Sequence, residues 1–314
     1  MDRTARPSPA RSEAIEPGPL REASSGPGRI LLQALADPIR ATELAVDGYT
    51  IIRGVLEDRE VEQLRTAFAV GMERWGQPLG ERWFPTILFP DAAIRHELSR
   101  AVVRVFEPHL AAILRSDDWH LVRADYSVKP ASSESELGPH QDFSVVDERH
   151  HQSLYVWSPL DPITPSNGAL HVLAGSHRFG GEVRAQHVPF VFDDALDLVR
   201  SASTQLDTQP GDLVVMVSGL VHWSPANGSG ALRLAAHGLL KPVEAPIVYF
   251  FADGQTPPGT VEMYEVDMDT YIELCLVGRP GPEVRRTGLR PRPPGAMVRE
   301  DLIRHLADRD DTSG

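Results

Sequence analysis

From about Trp119 onward the chain breaks into short apolar stretches parted by turn residues, at 120–128, 153–158, 169–173, 187–192, 212–217, 220–224 and 231–240. Strands this short, at this spacing, predict a sandwich or barrel rather than alternating βα units. The expected fold class is therefore mainly β with flanking helices. The helices come first: Ile30, Leu31, Ala34 and Leu35 recur at helical spacing, and a β-branched run at Tyr49–Ile52 reads as a strand. Asp58 can cap a helix with Val61, Leu64, Phe68, Met72 and Trp75 on one face. A further helix is expected around 91–115, with Pro108 marking a break or a new start.

Both ends read differently. Residues 1–28 carry five prolines and almost no apolar side chains, so a disordered tail is expected there. Residues 29–240 should form the sandwich domain with its N-terminal helices. Residues 241–314 should be an extension packed on the same domain, with a strand at Ile247–Phe251, an Arg/Pro/Gly-rich loop at 278–296 and a helix around 297–308. The extension carries no recognisable role.

Apolar residues at 41% and charged residues at 24% belong to a soluble globular protein. The net charge of −13 disfavours nucleic acid and anionic membrane as partners. Cys275 is the single cysteine, which rules out an internal disulfide and fits a reducing compartment. With no secretory apolar core and no membrane-length apolar run, a cytoplasmic location is expected. Oligomeric state is not legible.

The chemistry concentrates in two places. His140-Gln141-Asp142 follows a Gly138-Pro139 turn, and a strand end sends positions i and i+2 to one side, so His140 and Asp142 can face one ion. His222 lies 82 residues later, and Arg233 eleven beyond it. Two histidines and a carboxylate are the ligand set of non-haem Fe(II) oxygenases. A His-x-Asp alone is weak evidence, and a lone histidine is more often a core residue. The segment after Asp212 strengthens the case. Asn227-Gly228 signals a two-residue hairpin turn, which would set His222 opposite Arg233 and Ser224 opposite Ala231, all on one sheet face. His150 and His151, with Glu148 and Arg149, read as a solvated turn.

These segments resemble the phytanoyl-CoA dioxygenase family of Fe(II)- and 2-oxoglutarate-dependent oxygenases. The resemblance runs through Asp47-Gly48-Tyr49 to Leu64, Gly138 to Asp142, Trp157-Ser158-Pro159-Leu160-Asp161, Asn167-Gly168-Ala169-Leu170, Gly175-Ser176-His177, and Gly211-Asp212 with His222, Ser224, Asn227 and Arg233. It covers roughly residues 45–240. It implies a double-stranded β-helix (a cupin-like jelly roll) and Fe(2+) held by His140, Asp142 and His222. It implies 2-oxoglutarate with its distal carboxylate on Arg233 and Ser224, Trp157 lining that pocket, and O2 as the oxidant. Tyr126, Lys129 and Phe143 are further candidates for cosubstrate or substrate contact, with Lys129 read more readily as a solvated strand-end lysine. His177 reads as a structural hydrogen-bonder, His171 as a strand residue, His237 likewise unless it faces the cavity, and the polar 143–152 segment could serve as a substrate lid.

The expected enzyme is thus a 2-oxoglutarate-dependent dioxygenase that hydroxylates a small organic molecule, with succinate and CO2 as coproducts. Of 31 basic residues 29 are arginine, a GC-rich bacterial signature that points to a natural-product (secondary-metabolite) intermediate. Related halogenases lack the carboxylate ligand, so Asp142 argues for hydroxylation; desaturation, epimerisation, cyclisation and acyl-CoA hydroxylation stay open. The rival from another class is a non-catalytic cupin-like protein that binds a metal or small ligand.

Overall fold

The computed structural model describes residues 27–312 apart from 180, 182 and 293–298. The tail expected to be disordered therefore lies almost wholly outside the described residues. Order begins with the helix Pro27–Leu32 and continues with Pro38–Asp47, where the Asp37 carboxylate accepts from the Ile39 and Arg40 N–H groups. The helix Asp58–Trp75 buries Val61, Leu64 and Phe68, as its spacing predicts. Its cap is one residue earlier than expected: Glu57 and Glu60 form a reciprocal capping box. Pro108 lies inside the helix Ala92–Ile113 rather than at a break. The missing N–H forfeits one rung, while buried Val105, Phe106 and Leu110 pack the helix on both sides of it.

The β-structure is antiparallel throughout the described pairings. A six-stranded sheet runs in the order Tyr49–Ile52, Leu213–Val217, Leu154–Pro159, Arg233–Pro242, Trp119–Lys129, Phe84–Pro85. A smaller sheet runs Leu137–His140, His222–Ser224, His171–Val172, Thr204–Gln205. Period-two alternation divides the large sheet's side chains between two cores. Ala124, Tyr126, Val128, Val156, Val215 and Leu234 pack outward against the helices. Tyr155, Trp157, Val214, Met216, Ala235 and Leu239 point inward, together with Leu170 and Val172 of the smaller sheet. Helices on one side and a second sheet on the other make this the expected jelly roll.

Three local expectations fail. The 187–192 stretch forms turns, with Val191 and Phe192 packed into a satellite cluster with Leu173, Val199 and Leu302. Within the expected loop at 278–296, Arg286–Pro291 is a strand that completes a third sheet with Ile247–Phe251 and Thr260–Val266. Glu148, expected in a solvated turn, is buried against Arg184. The terminal helix runs Arg299–Thr312, and its residues 297 and 298 as expected lie outside the described set. Among the described residues, no helix is long and apolar enough to cross a membrane.

Candidate active site

Between the two sheets lies a cavity of about 330 Å3. His140 ends one strand of the smaller sheet and His222 begins its neighbour, and the antiparallel register sets them opposite each other. Their ring centroids are 4.2 Å apart. Asp142 follows just outside the strand. Its N–H donates to the Ser218 carbonyl at 3.1 Å, and its own carbonyl accepts from Arg184 Nε at 2.7 Å. Gln141 points away and donates to the Gly219 carbonyl, which ties the same turn down from behind.

Asp142 Oδ1 is 3.9 Å from His140 Nε2, and Oδ2 is 3.9 Å from His222 Nε2. One donor atom from each of the three lies within 4.8 Å of the others, a ring that one divalent ion could fill. The histidine tautomers fit that role. His140 Nδ1 donates to the Gly138 carbonyl at 2.8 Å, and His222 Nδ1 to the Leu220 carbonyl at 3.0 Å. A carbonyl only accepts, so both protons sit on Nδ1 and both Nε2 lone pairs face the centre. Burial, reinforced by the neighbouring His222, brings His140 down to about 4 against the opposing pull of Asp142 and the Gly138 carbonyl. Its imidazole is neutral at working pH, as a metal ligand must be.

Arg233 stands on the other wall, at the start of its strand in the large sheet. It is 3% exposed. Its Nη1 donates to the Gly168 carbonyl at a long 3.3 Å, and its Nε has no hydrogen-bond partner among the described residues. The guanidinium lies 5.7 Å from the Trp157 ring centroid. Burial brings it down to about 10, with Asp161 the opposing charge. A buried guanidinium so sparsely bonded is prepared for an anion. Ser224 lines the same cavity from the facing sheet.

His222 and Arg233 thus share a cavity, but not by the expected route. No tight hairpin joins their strands: His222–Ser224 pairs with Leu137–His140 and His171–Val172, while Arg233–Pro242 pairs with Trp119–Lys129 and Leu154–Pro159. The intervening chain crosses from one sheet to the other. Asn227 holds that crossing, donating to the Lys129 and Ala231 carbonyls instead of occupying a two-residue turn.

The remaining candidates divide. Trp157 and Phe143 line the cavity. Tyr126 does not: strand alternation sends it outward, where its hydroxyl donates to the Leu64 carbonyl and its ring packs on Phe68. Lys129 is not solvated either. It is fully buried on the inner face beside Arg233 but outside the cavity lining, donating to the Ser135 and Pro225 carbonyls. Burial, then the Arg233 charge, brings it down to about 7. His177 reaches the Ala45 carbonyl and His171 stacks on Trp223. His237 faces the cavity, with Nε2 2.8 Å from Asp125 Oδ1. The residues missed from sequence are Arg123, Asp125 and Arg184. Alternation along 119–129 puts Arg123 and Asp125 on the inner face with Ser127, a signal that was available.

Comparison with known proteins follows the same lines. The family model for phytanoyl-CoA dioxygenase matches residues 44–235. Among solved structures, SnoK, a non-haem α-ketoglutarate-dependent carbocyclase from nogalamycin biosynthesis, aligns with a TM-score of 0.51 and 19% identity, covering 67% of this chain and 86% of its own. EctD from S. alaskensis, solved with 2-oxoglutarate and 5-hydroxyectoine, aligns with a TM-score of 0.51 and 18% identity over 71% of this chain and 82% of its own. At such identities the likeness speaks for the fold. A comparison with curated protein sequences gives no match.

Proposed function

The chain belongs to the phytanoyl-CoA dioxygenase family, a family of Fe(II)- and 2-oxoglutarate-dependent oxygenases, and from that membership we propose that it hydroxylates a small natural-product intermediate. In this reading His140, Asp142 and His222 hold the ferrous ion. Arg233 and Ser224 hold the distal carboxylate of 2-oxoglutarate, with Trp157 beneath the guanidinium. The observation that carries the reading is a single one: two Nε2 lone pairs and a carboxylate converge in a cavity whose opposite wall holds an under-bonded arginine.

Iron bound there with 2-oxoglutarate and O2 would supply an oxidant for an unactivated C–H bond, one oxygen entering the substrate while succinate and CO2 leave. The chain's own residues do the positioning. The Gly138 and Leu220 carbonyls orient both imidazoles, and Arg184 and Ser218 fix the Asp142 backbone. A planar guanidinium grips a carboxylate bidentately and stays charged at working pH. Asp142 supports hydroxylation over halogenation, because it occupies the position a halide would need. The cavity of about 330 Å3 is at the small end of ligand pockets, which favours a small molecule over a whole CoA thioester.

The test is an anaerobic titration of the Fe(II)-loaded protein with 2-oxoglutarate. A visible charge-transfer band is expected in the wild type, and its loss in Asp142→Ala, along with iron-dependent succinate formation. Full turnover by that variant would remove Asp142 from the ligand set, and no band in the wild type would favour a mere binding protein. A metabolite screen for products heavier by one oxygen then names the substrate.

A further inference from the structure

The inner wall of the large sheet carries a second arginine that the reading above leaves unused. Arg123 lines the same cavity as Arg233. The register pairs Arg233 with Lys129 and Leu239 with Arg123, so Arg233 stands at one end of the strand pair and Arg123 well along it. Six residues of strand separate them, about 20 Å along the backbone. A five-carbon diacid bound at the metal can reach one end of that wall only.

The Arg123 end is built rather than incidental. Its guanidinium lies 5.3 Å from the Tyr155 ring centroid, a cation–π arrangement that fixes its plane. Its nearest carboxylate, Asp125 Oδ1, is 3.5 Å from Nε, and Nε has no hydrogen-bond partner among the described residues. Asp125 is only partly committed elsewhere, since among the described residues neither its Oδ1 nor His237 Nε2 makes a hydrogen bond of good geometry. The same Oδ1 is 2.8 Å from His237 Nε2, and Oδ2 accepts from the Ile87 N–H at 3.2 Å. Burial works against the Asp125 charge, but His237 and Arg123 together hold its carboxyl below the ordinary range. The carboxylate therefore steadies the arginine electrostatically without filling its five donors. Burial opposes the Arg123 charge, but Tyr155, Asp125 and Asp142 more than offset it and hold its pKa above the ordinary value, so what the fold leaves open for a ligand is hydrogen-bonding capacity, the bare Nε above all, rather than charge.

The rest of that end is apolar. Ile87 and Leu88 line it from the segment before the long helix, and Leu276 from the helix Met268–Val277, which lies outside the family-matched residues. Leu88, Phe143 and Leu276 are also exposed, so they form the rim through which a ligand enters.

We propose that Arg123 is the substrate anchor of this cavity, and that the substrate is a small molecule with an apolar body and a carboxylate that Arg123 holds at the end of the wall remote from Arg233. This rests on the oxygenase reading, because it takes Arg233 as already engaged by the cosubstrate. Arg123, Asp125 and His237 then decide which molecules are oriented, while the three metal-facing residues decide what happens to them.

The experiment uses Fe(II)-loaded protein under anaerobic conditions with saturating 2-oxoglutarate, so that Arg233 is occupied. Aromatic and aliphatic monocarboxylic acids are compared with their own primary amides by thermal shift and calorimetry. Acids are expected to bind and amides to bind at least about tenfold more weakly, the scale of one charge-assisted hydrogen bond. Arg123→Gln should abolish that preference and Arg123→Lys retain part of it, while both keep the charge-transfer band, which also shows that they fold. Equal binding of acids and amides by the wild type, or an undiminished acid preference in Arg123→Gln, overturns the proposal. A band missing from the wild type would instead sink the cosubstrate reading, and the acid–amide comparison repeated on Arg233→Met would still judge Arg123.

Discussion

Replacing Arg233 by Met should weaken 2-oxoglutarate binding and leave the ligand-free protein at least as stable as before. The fall of the guanidinium from 12.5 to about 10 measures its uncompensated burial. At about 1.4 kcal/mol per tenfold, that is about 3 kcal/mol. The ligand-free protein carries this penalty with one long hydrogen bond and a bare Nε; a carboxylate would remove much of it. Methionine is nearly as long, carries no charge, and also relieves Lys129, which the Arg233 charge helps to hold down at about 7. The expected dissociation constant for 2-oxoglutarate rises roughly a hundredfold, which is the same 3 kcal/mol read in binding. Arg233→Lys should fall between, because it keeps the charge and loses the planar fork. The assays are anaerobic titration of the visible band and urea unfolding of ligand-free protein. The two readouts moving in opposite directions is the signature. If the variant unfolds several kcal/mol early and still binds 2-oxoglutarate normally, Arg233 is a structural residue and the reasoning fails.

Other perturbations probe the supports of the site. Arg184→Met should destabilise the fold by about 3–5 kcal/mol by stranding Glu148 in the interior, and should loosen iron because the Asp142 carbonyl loses its donor. Adding Glu148→Leu should restore much of the stability but not the iron affinity; recovery of both would mean that Arg184 has no hold on Asp142. Gly168→Ala is expected to cost more than about 1 kcal/mol. Its φ of +84° disfavours a side chain, and a Cβ there would meet the Pro225 carbonyl at 2.7 Å; wild-type stability in chemical unfolding would refute this. For Lys129 the sign follows from a folded-state value of about 7 against 10.5 in the unfolded chain. The unfolded chain holds more protons between those values, so stability should climb with pH across that window, and Lys129→Met should flatten the climb. An unchanged slope in the variant would place the burial penalty elsewhere.

What the sequence disclosed was local. Alternation and turn residues gave most strands of both sheets, and the i, i+2 rule together with a distant histidine gave the three side chains that converge. Which strands would pair was not local information. Asn227-Gly228 reads as a hairpin because two residues of the right type suffice for one, yet buried Asn227 spends its amide on the Lys129 and Ala231 carbonyls and the chain crosses between sheets. His222 and Arg233 therefore meet across the cavity, not along a face. Tyr126 and Lys129 stand an odd interval apart, and a strict period of two forbids both from facing one site; Tyr126 is buried on the outer face against the helices and Lys129 on the inner face against backbone carbonyls.

The larger omission concerns charge. Glu148 reads as solvated because charged side chains usually are, and only its ion pair with buried Arg184 shows otherwise. The chain holds two lysines in 314 residues, Lys129 and Lys241, and both are buried with their ammonium groups on backbone carbonyls. Arginine, by contrast, dominates the surface and also supplies the cavity's two under-bonded cations. Residue type alone therefore could not tell a solvated arginine from one buried in the cavity wall. The distinction lies in what each guanidinium fails to bond. That property belongs to the folded wall: alternation can place Arg123 on the inner face, but only the fold shows its unfilled Nε.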